Sequence, residues 1–166
     1  MSSPSERGDA LAGGRHRARE VALQVLFAID LGSRDPVEGD GEVDSGDEET
    51  KSDSLADRSF DSVVEHFDVP RRAAAFAREL VGAVSACRTE LDALIGAHSR
   101  NWRVSRMAAV DRNILRMAVY ELRHTDTPVP VVIDEAVDLA RRFGNDASPA
   151  FVNGVLDAVA REVRAA

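Results

Sequence analysis

The sequence predicts an all-α fold of about six to seven helices. Apolar residues recur at i, i+3, i+4 and i+7 along most of the chain, and no alternating apolar–polar run is long enough for a strand. Ala, Arg and Val are the commonest residues, and aromatic residues make up only 5%. With 166 residues, 44% of them hydrophobic, the chain suits one compact domain with a real core. No apolar stretch approaches the roughly 18 residues of a membrane span. The first turns of the chain lack the apolar segment of a secretory signal. A single cysteine, Cys87, excludes an internal disulfide and any Cys-x-x-Cys site. A soluble cytoplasmic protein is expected.

The elements follow in order. Residues 1–14 are rich in Ser and Gly and read as a disordered arm, leaving 15–166 as a single helical domain. A first helix is expected over 15–31, with Ala18, Ala22, Val25, Leu26 and Ile29 on one face and Gly32 as its stop. Residues 33–54 collect Gly, Asp, Glu and Ser and read as a flexible acidic loop. Phe60, Val63, Val64 and Phe67 mark the next helix, which Asp68-Val69-Pro70 ends. Phe76, Leu80, Val84, Cys87, Leu91, Leu94 and Ile95 then predict one long helix running nearly to His98, with Cys87 as a small core residue.

Asn101-Trp102-Arg103 reads as a corner. From Met107 to Leu122 apolar residues occupy nearly every face, the pattern of a helix buried among others. After a turn at Asp126, Pro128 and Pro130, residues Val132 to Phe143 form a helix closed by Gly144. Ser148-Pro149 reads as N-cap plus first-turn proline of a last helix carrying Phe151, Val152, Val155, Leu156 and Val159. Within it, Asn153-Gly154 suggests a close helix–helix approach, since a mid-helix glycine otherwise costs roughly 1 kcal/mol.

The net charge of −8 is unevenly spread. Residues 35–68 hold 13 acids against Lys51 and Arg58, so the rest of the chain is mildly basic. Screening confines surface fields to roughly 8–10 Å, so an acidic average does not exclude a cationic site.

The sequence carries few motifs of known chemistry. There is no Gly-x-x-x-x-Gly-Lys loop and no His-Glu-x-x-His, and the four histidines are scattered. A calcium-loop register from Asp40 fails, because Ser45 stands where a Gly is needed and Lys51 where the bidentate Glu belongs. No enzyme, metal site or cofactor is expected. The oddity is Arg15-His16-Arg17-Ala18-Arg19 at the expected start of a helix, where the positive dipole end disfavours cations. An anion docked on free backbone N–H groups and guanidinium forks would account for it. A solvated basic arm accounts for it equally well. Phe143 and Phe151, either side of the Gly144–Ser148 connector, could form an apolar shelf or pack in the core.

Several strings together resemble the NusB family of transcription antitermination factors. They are Arg15-His16-Arg17-Ala18-Arg19-Glu20, Val110-Asp111-Arg112-Asn113-Ile114-Leu115-Arg116, Tyr120-Glu121-Leu122, Pro130-Val131-Val132-Ile133-Asp134-Glu135-Ala136-Val137 and Phe151-Val152-Asn153-Gly154-Val155-Leu156-Asp157. The resemblance spans Arg15 to about Arg161. It implies two perpendicular three-helix bundles, and a non-enzymatic subunit that binds the single-stranded boxA element of ribosomal RNA transcripts together with NusE, a small-subunit ribosomal protein. NusA, NusG and RNA polymerase complete the implied assembly.

By the same resemblance, Arg15, His16, Arg17, Arg19, Phe27 and Phe151 are the RNA-binding residues, and Asp111, Phe143 and Ala147 form the NusE interface. Phe27 stands where a Tyr is familiar, Ala147 where some relatives carry Asp, and Ala150 where some carry a basic residue. The 33–54 segment would be an acidic tether competing with RNA for the arginines. NusB-like domains also precede rRNA cytosine methyltransferases, but a chain ending at Ala166 leaves no room for a cofactor-binding sheet. The remaining alternative is a structural role as a helical homodimer through Phe143 and Phe151.

Overall fold

The computed structural model describes residues 4–32, 48–66, 69–100 and 102–165. Among them are seven α-helices, one 3₁₀ turn and no strand: α1 (Pro4–Gly32), α2 (Glu48–His66), α3 (Arg71–Ala86), α4 (Arg88–His98), the 3₁₀ turn Val104–Arg106, α5 (Ala109–His124), α6 (Val129–Phe143) and α7 (Ser148–Ala165). The chain is all-α, as its periodicity predicts. Its helices group into two compact units, Met1–Gly82 and Ala83–Ala166.

Two element boundaries correct the sequence reading. The first helix begins at Pro4, not at Arg15, so residues 4–14 of the expected arm are helical. Proline suits the opening turn because it has no N–H to lose, and Ala10, Leu11 and Ala12 are strong helix formers. Similarly, residues 48–54 of the expected acidic loop are the start of α2. Glu48 and Glu49 fall in its first turn, where the helix dipole favours acids. The rest of that loop, 33–47, lies outside the described residues, as do 1–3 of the arm and Phe67.

In the first unit α1 packs against α2. Ala18, Val21, Ala22, Val25 and Leu26 of α1 are buried, which is the face expected from their spacing, and Phe60 of α2 and Ala73, Ala77 and Leu80 of α3 are buried too. Arg78 fastens α3 to α2. Its guanidinium lies 4.3 Å from the centre of the Phe60 ring and pairs with Asp57 at 2.8 Å and Asp61 at 3.0 Å.

The long helix expected through His98 is two helices, interrupted at Cys87, whose backbone sits at φ −96°, ψ 8°. That is the sparsely populated bridge region of backbone space. The main-chain bonds from Cys87 N–H to Ala83 O (3.0 Å) and from Leu91 N–H to Cys87 O (2.9 Å) survive it, so the apolar stripe passes through without a change of period.

The second unit is built around α5, which contacts α4, α6 and α7. Every residue from Asp111 to Val119 is buried, as an apolar pattern on nearly all faces requires. Charged side chains in this unit are put to structural use. Arg116 grips Asp92 of α4 with two parallel bonds, Nε to Oδ1 at 2.7 Å and Nη2 to Oδ2 at 2.9 Å. This two-point fork ties α4 to α5. Arg112 donates from Nη1 to Val104 O (3.1 Å) and Met107 O (3.0 Å), pinning the 3₁₀ turn. At the far end, Arg164 of α7 donates to Leu122 O, Thr125 O and Thr127 O, placing a cation at the carbonyl end of α5.

Candidate nucleic-acid and protein interface

The sequence-predicted site residues fall in two places, one in each unit. The first is the basic string on α1. Because α1 starts at Pro4, Arg15 to Arg19 lie well inside the helix, and their backbone N–H groups point along it rather than out at a ligand. The expectation of an anion seated on free amides at a helix end is therefore corrected. What remains is a cluster of side chains.

Those side chains are arranged by two neighbours. Arg15 and Arg19, one turn apart, both lie over Phe76 of α3, with guanidinium carbons 5.6 and 5.8 Å from the ring centre. Arg15 is exposed, whereas Arg19 is 3% exposed and cannot face a ligand in solvent as the sequence suggests. On the adjoining strip, the buried carboxylate of Glu20 holds His16 at 3.1 Å and Arg17 at 2.8 Å. His16 and Arg17 stay partly exposed. The result is an outward group of Arg15, His16 and Arg17, steadied from below by Phe76 and Glu20. Phe27, half-buried, lies further along α1.

The second place is a cavity of about 320 Å³ in the second unit, lined by Trp102, Arg106, Met107, Ala108, Asp111, Asn145, Ala147 and Phe151. Three residues expected in site roles, Asp111, Ala147 and Phe151, meet here although 36 residues separate the first two. Phe143 is not among the lining residues. Phe143 is 37% exposed and carries the Arg142 guanidinium 5.3 Å from its ring centre.

The cavity wall is built from two connectors. One is the 3₁₀ turn held by Arg112, which sets Trp102, Arg106 and Met107 along one side. The other is the tight link from α6 to α7. There Asn145 Oδ1 accepts from Ala147 N–H at 2.9 Å, and Ser148 Oγ accepts from Asn145 N–H at 3.0 Å. Ser148 thus bonds back across the link instead of capping α7 forward. Gly144 is required: a Cβ there would sit 2.5 Å from Ser148 Oγ and 2.7 Å from Ala140 O. Gly154 is the opposite case. It is exposed, with nothing within 4 Å of where a methyl group would stand, so the close helix approach expected of it does not occur.

Asp111 is the one acid lining the cavity. It is 8% exposed, in the first turn of α5, and its Oδ1 is buried with no hydrogen-bond partner. An unsatisfied buried carboxylate oxygen costs free energy until a donor arrives. With aromatic walls from Trp102 and Phe151, the cavity can take an apolar stem ending in an N–H or a cation. Sequence reasoning missed Trp102, Arg106 and Asn145. Trp102 is the one tryptophan, 57% exposed, and a large exposed ring is the informative exception on a surface.

Comparison with known proteins bears on both places. The NusB family matches residues 16–161. The transcription antitermination protein NusB of Myxococcus xanthus is 42% identical over 149 residues, covering 89% of this chain and 95% of that protein. Among solved structures, NusB of T. maritima superposes with a TM-score of 0.69 at 28% identity, over 98% of this chain and 94% of the other. A chain in a crystal structure of antitermination factors NusB and NusE in complex with double-stranded RNA gives a TM-score of 0.68 at 28% identity, over 90% and 97%.

Proposed function

This chain belongs to the NusB family, and from that premise we propose that it is a transcription antitermination factor binding the boxA RNA of ribosomal transcripts together with NusE. The observation that carries the reading is the family match itself, which takes in His16, Arg17 and Arg19 of α1 and every residue lining the second-unit cavity. It acts by binding and not by catalysis, in the cytoplasm, within an assembly that includes NusA, NusG and RNA polymerase.

The residues divide the work. Arg15, His16 and Arg17 hold phosphates, and their pairing with Glu20 and Phe76 sets their orientation before RNA arrives. Arg19 backs that surface from within, and Phe27 offers a ring to an unstacked base. In the second unit, Asp111 and Ala147 meet NusE, with Phe143 on the same partner surface, while Phe151 serves RNA.

The test is a titration of labelled boxA RNA and a scrambled control, each with and without NusE, over a range of salt. Binding of boxA in preference to the control, strengthened by NusE, is expected. Arg15→Ala with Arg17→Ala removes two phosphate contacts, so the slope of log K against log salt should flatten by about 1.4. Equal affinity for both RNAs in the presence of NusE overturns the reading.

A further inference from the structure

No pair of histidines in the sequence has metal-ligand spacing, yet the fold of the second unit assembles a mixed donor set from two distant stretches. Cys87 sits at the break before α4, Glu90 in the first turn of α4 and His124 at the end of α5. One thiol sulfur, one carboxylate oxygen and one imidazole nitrogen lie within 4.8 Å of one another. We propose that this corner binds a single thiophilic divalent cation of the zinc class through Cys87 Sγ, a Glu90 oxygen and His124 Nε2.

The distances suit such an ion. Tetrahedral zinc, with bonds of about 2.0–2.3 Å, spaces its ligand atoms roughly 3.3–3.8 Å apart. His124 Nε2 and Glu90 Oε1 already stand at 3.3 Å. All three donor atoms stand within 4.8 Å of one another, so no pair has more than about 1.5 Å to close to reach that spacing. The donor chemistry is selective as well: thiolate with imidazole favours zinc and its neighbours over magnesium or calcium.

The surroundings point the same way. Glu90 Oε1 is shielded from water yet accepts no hydrogen bond of good geometry, although Arg123 Nε and His124 Nε2 lie against it as ion-pair partners. Arg123 is the resident competitor; on loading, it moves to the second carboxylate oxygen and supports the ligand from outside. The Tyr120 ring, 5.2 Å from the His124 ring and tilted by 32°, holds the imidazole plane. His124 ends α5, where the carbonyl dipoles favour positive charge. The Glu90 and His124 side chains are partly exposed, leaving a fourth position for water. The thiol proton passes to solvent as the sulfur–metal bond forms.

The full chain, kept reduced, is titrated with zinc alone by calorimetry and with cobalt alone by absorption. One ion per chain is expected, with a thiolate-to-cobalt charge-transfer band in the near ultraviolet. Cys87→Ala and His124→Ala should each weaken zinc by at least about 100-fold, the upper end of what losing a merely supporting neighbour costs. His66→Ala, in the other unit, should leave the isotherm unchanged, and circular dichroism verifies that each variant is helical. Absence of saturable binding, a zinc isotherm that Cys87→Ala leaves intact, or a cobalt spectrum without the sulfur band overturns the proposal. None of these readouts involves RNA or NusE.

Discussion

Replacing Arg112 by Met tests how the second-unit cavity is held together. Arg112 is 1% exposed, and its Nη1 serves both Val104 O and Met107 O. Methionine fills similar space and removes those bonds. Both carbonyls lose the Arg112 donor, but Val104 O keeps the Met107 N–H at 3.2 Å. Two bonds from a charged donor contribute about 3–6 kcal/mol. Relief of the buried cation offsets part of that, leaving a net loss of about 2–4 kcal/mol. For a chain of this size the melting temperature should fall by about 4–16 °C.

The single tryptophan supplies a local readout, because Trp102 precedes the pinned turn and lines the cavity. Its fluorescence anisotropy should drop and its quenching by acrylamide should rise in Arg112→Met. Arg112→Lys, which offers a point charge without the fork, should recover only part of both. Unchanged melting together with unchanged Trp102 anisotropy would refute the idea that the buried guanidinium shapes this wall.

Three further outcomes are expected. Gly154→Ala should stabilise the chain by about 0.5–1 kcal/mol in urea denaturation, since the glycine costs helix entropy and the added methyl meets nothing; a loss instead would mean that the exposed position is strained. Asp111→Asn should cost at most about 1 kcal/mol, the favourable term of an acid in the first helical turn, yet weaken NusE in a pull-down or calorimetric titration; wild-type affinity would remove Asp111 from the interface. Glu20→Gln should raise affinity for scrambled RNA by removing a negative charge beneath the arginines, and lower the boxA-to-scrambled ratio by weakening the hold on His16 and Arg17. An unchanged ratio would show that Glu20 does not orient them.

The parts of this fold that are legible in the sequence are those that burial alone decides. The apolar faces of α5 announce a central helix, and the Val132–Phe143 spacing with Gly144 behind it gives α6 and its stop. The start of α1 is hidden because Ser, Gly and charge in 1–14 resemble a tail, while the backbone responds to Pro4 and to the helix formers Ala10-Leu11-Ala12. The break at Cys87 is hidden for a different reason: it keeps both the main-chain bonds and the apolar period, which are the only signals available. Arg19 illustrates the limit of reading charge as exposure. An aromatic ring from α3 gives it a place inside, and nothing in its own neighbourhood of sequence foretells Phe76. Likewise Asp111 stands far from Ala147 and Phe151 along the chain, and only the fold shows that one cavity joins them with Trp102.

The position of the basic string inside α1 changes the physics of recognition and not merely a boundary. At a helix end, backbone amides would supply fixed partial charges to any phosphate, whatever the side chains did. Inside α1 those amides are consumed by the helix, so in the proposed reading affinity for an anion rests on the side chains of Arg15, His16 and Arg17. Mobile side chains lose rotamer freedom on binding unless something holds them first. The buried Glu20 and the Phe76 ring do this holding here, and they also keep the cluster from repelling itself. A surface of this kind attracts phosphate strongly at low salt but distinguishes one sequence from another only weakly. Selectivity must then come from groups that meet bases or a protein partner, which gives the aromatic and carboxylate features outside the cationic strip a role that the cations cannot fill.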